Sequence, residues 1–249
     1  MVKTCKLPKF TYTICSAKEF IKQNPSEMYE NLLCLPYFQG MSRDEITSIL
    51  DKVTFEFHNY SDGESICSRG DICDKFTIAT QGEFLSIASS PDKTYRLSEE
   101  LQAPFAIEPY SLFGKDTTFK REYISKGNCT VLFIDKHYLF SELAKYRIFT
   151  INFLNLVSHR EQAQNWAIWN YTPTSIKGRI VQFIIMRCNE INGTKRIQIK
   201  MERLAELLCE TRLNVSKALN ELKDEGYIEL QRKEIIVPSL KKLTEEIRE

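Results

Sequence analysis

From residue 31 to residue 135 the apolar positions come in short alternating or continuous runs: VTFEFHNY, ESICS, KFTIAT, EFLSIASS, TYRLSE and TVLFID. Gly, Asp, Ser and Pro separate them at short, fairly regular intervals. A period of two with such punctuation predicts strands, and strands this closely spaced predict a sandwich or barrel. Just ahead, LPYFQGMSRDEITSILDKV predicts a short helix opened by Ser42. Glu45, three residues on, completes a capping box, and Ile46, Ile49 and Leu50 share one face. Residues 1–30 show no clear period and are set apart as an N-terminal extension.

The period changes at Lys136. KHYLFSELAKY predicts a short helical piece leading into RIFTINFLNLVSHREQAQNWAIWN, a run free of Pro and Gly in which Phe149, Phe153, Leu156, Ala163 and Ala167 recur at helical spacing, with Ile151, Leu154 and Val157 beside them. At 1.5 Å per residue this helix is about 36 Å long. Its apolar surface is wide enough for one flank to lie on the barrel and the other to meet a second copy of the chain. The face expected at that dimer seam comprises Phe149, Phe153, Leu156, Val157, Ala163 and Ala167. NYTPTS then breaks the helix, and Thr172 with Pro173 predicts the start of the next one. The expected organisation is an extension (1–30), a β-domain (31–135), a helical connector (136–171) and a C-terminal domain (172–249), an α+β chain.

The C-terminal domain opens with the amphipathic IKGRIVQFIIMRCNEIN, followed by a strand, GTKRIQIK, and two short helices in MERLAELLCETRLNVSKALNELKDEGYIEL. Leu204, Ala205 and Leu208 share a face on the first, and Val215, Ala218, Leu219 and Leu222 on the second. At 100° per residue, Leu213, Lys217 and Asn220 lie opposite Val215, flanked by Arg212, Asn214 and Ser216, with Thr211 as N-cap. Two helices locked by so tight a turn predict a helix-turn-helix whose outer face suits a DNA major groove. Arg reads guanine, Asn pairs with adenine or holds phosphate, and Lys neutralises phosphate. After Gly226, YIELQRKEIIV predicts two strands around a tight turn, a wing that carries Arg232 and Lys233 to the backbone. Cys209 stands where such turns often have Gly.

Charge changes this picture little. The net charge is +1, yet residues 172–249 hold 15 Lys and Arg against 12 Asp and Glu, leaving 19 against 21 for the rest. Hydrophobic residues at 43% with 11% aromatic are ample for real cores. No run approaches the roughly 18 apolar residues of a membrane span, so a cytoplasmic protein without membrane attachment is expected. The eight cysteines form no Cys-x-x-Cys pair, which points to free thiols rather than zinc or disulfides.

With these motifs in order, the chain resembles the Crp/Fnr family of bacterial transcription regulators, related to the cyclic-AMP receptor protein. DGESICSRGDICDKFTIATQGEF is similar to the family's barrel pattern through Gly63, Ile66, Gly70, Asp71, Asp74 and Gly82. KGRIVQFII is similar to the opening helix of its DNA domain through Gly178, Arg179 and Ile180. The resemblance implies a cyclic-nucleotide-binding-like β-barrel (a double-stranded β-helix), a long dimerisation helix and a winged helix-turn-helix. It implies a homodimer on a two-fold symmetric duplex operator, an effector-sensing barrel, and RNA polymerase as a further partner.

Departures carry weight too. Nucleotide-binding members have Gly-Glu, then Arg-Ser or Arg-Thr gripping the cyclic phosphate. Here the elements read FAIEPYSLF and TFKREY, with Glu108-Pro109 in the first and Phe119-Lys120 ahead of Arg121 in the second. Pro109 removes an amide, and Glu108 and Glu122 add negative charge, so cyclic AMP is not the expected ligand. The candidate effector residues are Glu108, Tyr110, Ser111, Lys120 and Arg121, with Gln164 and Asn165 at positions resembling those where the family's helix touches ligand. The cofactor stays unknown. Cys5, Cys15 and Cys34 are too scattered for an iron–sulfur cluster, and His58, His137 and His159 lie in no haem motif. A cupin-type enzyme would need clustered histidines that are absent, so no enzymatic activity is expected. In the reading helix Leu213 stands where members often have Glu, and can meet a thymine methyl but not accept from cytosine, so a different operator is expected.

Overall fold

A computed structural model describes residues 15–16, 32–33, 35–170, 173–189 and 192–246, apart from several side chains between 160 and 170. Ser42 opens α1 (Arg43–Lys52) with the predicted capping box: its hydroxyl accepts from Glu45 N, and its own N–H donates to the Glu45 carboxylate at 2.8 Å. Ile46 and Ile49 are buried beneath it.

The N-terminal strands are β1 (Cys15–Ser16), β2 (Phe55–Tyr60), β3 (Ser65–Cys67), β4 (Lys75–Ser89), β5 (Tyr95–Gln102), β6 (Phe105–Ile107) and β7 (Glu122–Asp135). All the pairings are antiparallel, with β7 between β2 and β4 and with β3 and β6 pairing β7 and β4. KFTIAT and EFLSIASS, predicted as separate strands, are one 15-residue strand. The reason is a bulge rather than a turn. The register shifts on either side of Gln81, and Gly82 takes φ +99° so close to β7 that a Cβ would meet Asn128 O and Cys129 Sγ at 2.7 Å. Only glycine permits this bend without ending the pairing. Phe38, Phe55, Phe76, Ile78, Phe84 and Leu132 form the buried centre.

Beyond the barrel come α2 (Lys136–Ser141) and α3 (Arg147–Asn170), the latter with the predicted bounds. Part of its expected dimer face lies on the barrel. Phe149 is buried in the barrel core, its ring 5.4 Å from Phe38. Phe153 packs on Tyr37, Phe76 and Phe113, and Leu156 lies against the same core. Of these three, expected at a dimer seam, Phe149 is buried in its own barrel, and Phe153 and Leu156 are half-buried against it. Asn152 anchors the same flank by donating to Gln39 O at 2.9 Å. Among the described residues of α3, Ile148, Ile151 and Leu154 are large apolar side chains left exposed, at 37%, 44% and 58%. Val157 is half-buried; Ala163, Gln164 and Ala167 belong to the helix, but their side chains are among those not described.

The C-terminal elements are α4 (Ile176–Ile185), β8 (Lys195–Ile199), α5 (Met201–Leu207), α6 (Arg212–Asp224), β9 (Glu229–Gln231), β10 (Glu234–Val237) and α7 (Leu240–Glu246). α4 starts later than predicted: Ser175 is its N-cap, accepting from Gly178 N at 3.0 Å, and Thr172 lies outside the described residues. α7 closes a second core of Ile180, Val215, Leu219, Val237 and Leu243. That core also takes in Leu97 from β5, and β8 pairs β5 on one edge and β10 on the other, so one ten-stranded sheet runs through both halves of the chain.

Candidate functional site

α5 and α6 cross with Leu204, Ala205 and Leu208 against Val215, Ala218, Leu219 and Leu222, all buried. Cys209 makes the turn between them in the left-handed region, φ +51°, a conformation that costs a residue with a Cβ about 1–2 kcal/mol. Compensating contacts hold it. Glu210 N donates to Ala205 O at 2.9 Å, and Arg179 from α4 donates to Leu208 O at 3.0 Å and pairs with the Glu210 carboxylate. The Asn214 amide, first, and Arg179 hold the Glu210 carboxyl below its usual range. Arg179, part of the sequence resemblance, thus fixes the turn that aims the second helix.

Thr211 caps α6, its hydroxyl accepting from Asn214 N at 3.2 Å. Arg212, Leu213, Asn214, Lys217 and Asn220 are exposed on one side, Leu213 at 79%, while Ser216 is half-buried. Arg212 pairs with Glu202 across the turn at 3.0 Å, and Asn220 donates to Ser216 O at 2.9 Å. Arg232 and Lys233 are exposed at the tip of the β9–β10 hairpin. Between that wing and the two helices runs a groove of ≈ 300 Å³ whose lining includes Lys200, Glu202, Arg212 and Lys233. Lys200 and Glu202 were not predicted here; their only sequence signal is adjacency to the first helix. The surface offers guanidinium, ammonium and amide donors around an apolar Leu213, a set matched to phosphates and base edges in a duplex groove.

The barrel end is arranged differently. Glu108 adopts φ +39° ahead of the 3-10 turn Pro109–Leu112, and its side chain is buried. Oε2 accepts from Lys120 N at 2.8 Å and from Ser111 Oγ at 3.0 Å; Oε1 has no hydrogen-bond partner among the described residues. Ser111 is buried and Tyr110 half-buried. Lys120 turns to Asp116 and to Thr118 Oγ1. Arg121 is buried, with its guanidinium on Glu99 and on Arg187 O. Asn165 is exposed on α3. His58 lies tilted against Phe133 at 5.0 Å, His137 bonds Asp135 at 2.8 Å and His159 is exposed on α3. Among the described residues no His, Cys, Asp and Glu group could hold a metal ion, and no helix is long and apolar enough to cross a membrane.

Residues 178–246 match the Crp-like helix-turn-helix domain family. That Crp-like helix-turn-helix domain is joined in this chain to an antiparallel β-domain and a long helix. Among solved structures it is similar in fold to the catabolite activator protein of Thermus thermophilus, at 17% identity over 84% of this chain and 97% of that one, with a TM-score of 0.50. The c-di-GMP-responsive global regulator CLP of Xanthomonas campestris aligns at 14% identity over 80% of this chain and 100% of that one, TM-score 0.47. DNR of Pseudomonas aeruginosa aligns at 15% identity over 87% and 96%, TM-score 0.41. No curated protein sequence matches the chain.

Proposed function

We propose that the chain acts as a cytoplasmic homodimer that sets α6 of each subunit into successive major grooves of a two-fold symmetric operator. Thr211, Arg212, Leu213, Asn214, Ser216, Lys217 and Asn220 face the duplex in this reading, and Arg232 and Lys233 hold the flanking phosphates. The observation that carries it is the exposed row of Arg212, Leu213 and Lys217 beside a wing with two exposed cations at its tip. The dimer seam proposed now is the flank of α3 opposite the barrel, beginning with Ile151 and Leu154, since a 36 Å helix with both flanks apolar has one left to cover. The domain limits near residues 31, 136 and 172 remain part of this proposal.

The barrel answers to an effector other than cyclic AMP. A cyclic phosphate needs convergent cations and amides. Lys120 and Arg121 are engaged by Asp116 and Glu99, and the Lys120 amide already donates to the Glu108 carboxylate, which would repel an incoming anion. The test is selection of duplexes from a random pool by the full chain, followed by anisotropy titrations over a range of salt and by light scattering. A palindromic site bound by a dimer with a steep salt dependence is expected. Binding without sequence preference, or a monomer at micromolar concentration, rejects the reading.

A further inference from the structure

β5 and β8 pair from Tyr95↔Ile199 to Glu99↔Lys195, so the strand that starts the wing sheet is also an edge of the barrel. At the end of this ladder, the carboxylate of Glu99 is fully buried and takes donors from both halves of the chain. Arg121 Nη1 reaches Oε2 from the barrel side. Lys195 Nζ lies 3.3 Å from Oε1, and Asn189 N donates to the carboxylate at 3.1 Å from the C-terminal side. Arg121 also donates to Arg187 O, crossing in the other direction. Farther along, Arg203 of α5 pairs with Asp92 at 2.8 Å and donates to Thr94 Oγ1 at 3.1 Å, and Arg187 bonds the Tyr95 hydroxyl at 2.9 Å. Gly193 seals the seam, because a Cβ on it would sit 2.2 Å from Glu100 O.

We propose that this seam is a clamp, centred on Glu99, that holds the helix-turn-helix of each subunit at a fixed attitude to its own barrel, and that operator affinity depends on it. The inference rests on the DNA-reading function above. Its logic is preorganisation. Two reading helices tied to one rigid frame present the second half-site contact at high effective concentration once the first has formed, whereas helices on a loose joint lose that advantage without losing a single base contact. The clamp leaves the reading face open, since Arg212, Leu213 and Lys217 are exposed while it is closed. Its barrel-side arm, Arg121, follows Lys120, whose amide is bound by Glu108, so an effector that moves the Glu108 carboxylate acts one residue from the clamp.

Two variants test it in the full chain. Glu99→Gln removes the shared charge. Gly193→Ala keeps every charge but pushes β8 from Glu100, whose backbone and side chain are the nearest atoms to the added methyl. By ladder alternation, the Arg196 and Gln198 amides face β5, and in both variants their hydrogen exchange should rise at least about tenfold. On the selected palindrome, affinity should fall about tenfold or more, while affinity for a duplex carrying a single half-site stays as in the parent. Unchanged exchange, or a variant that binds the palindrome as well as or better than the parent, overturns the clamp. A parent that binds no duplex refutes the DNA-reading function instead, and the exchange measurement still decides whether the clamp exists.

Discussion

Two clusters of charge lie on either side of the C-terminal domain and obey opposite rules. At the seam Glu99 and Lys195 are completely buried and Arg121 nearly so; at the reading face Arg212 and its partner Glu202 are exposed at 69% and 59% of their side chains. A buried ion pair is costly to form, and breaking it by removing one member leaves a charge stranded. An exposed pair contributes little and exchanges its partner readily. The difference separates architecture from recognition. Seam charges are committed to each other, while in the proposed function Arg212 would leave Glu202 for a guanine or a phosphate without harm to the fold.

Substitutions ordered by expected effect can break that contrast. Glu99→Ala should destabilise the chain by about 3–5 kcal/mol, read as a large drop in denaturant midpoint, because Lys195 and Arg121 lose their carboxylate together. Arg212→Ala should weaken operator binding by about 1–3 kcal/mol and relax preference at one base pair, while shifting stability by less than about 0.5 kcal/mol. If Arg212→Ala cost as much stability as Glu99→Ala, the contrast would be wrong. Arg232→Ala and Lys233→Ala should each lower the salt slope of binding by about 1, uniformly across sequences. Glu202→Gln should change stability by no more than about 1 kcal/mol.

The smallest effect is pH-dependent. Hydrogen bonds from Ser90 and Thr94, with Arg203 nearby, hold the Asp92 carboxyl down to about 2. A folded value below the unfolded one of about 3.9 means that its contribution is complete above that pH and fades as pH falls toward 2. The melting-temperature gap between parent and Asp92→Asn should therefore be flat from about pH 5 to about pH 8 and close in acid.

Much of the reading side was legible because its signals are local. Ser42 with Glu45, the uninterrupted run from Arg147 to Asn170, the Thr211 cap and the QRKE turn each specify their element within a few residues. Gly82 misled because a bulge and a turn use the same residue, and only pairing with β7 across some fifty positions of sequence distinguishes them. Phe149 was assigned to a dimer face for a related reason: both flanks of α3 are apolar, so periodicity finds the helix without saying which residues the barrel buries. The clamp was missed although strand parity hints at it. Glu99 alternates in phase with Leu97 and Leu101, Lys195 with Ile197 and Ile199, and Arg121 with Tyr123 and Ser125, all of them inward positions. A charge in an inward register asks for a counter-charge, but which of the 34 cations answers depends on a contact between strands nearly a hundred residues apart.

The double pairing of β8 also bears on how the chain behaves outside its folded state. An unpaired strand edge is a template for adding a foreign strand, and here the vulnerable rims of β5 and β8 shield one another. Cutting the chain near Pro173 would bare both rims at once, so each fragment should be stickier than the parent and prone to assemble into sheets between molecules.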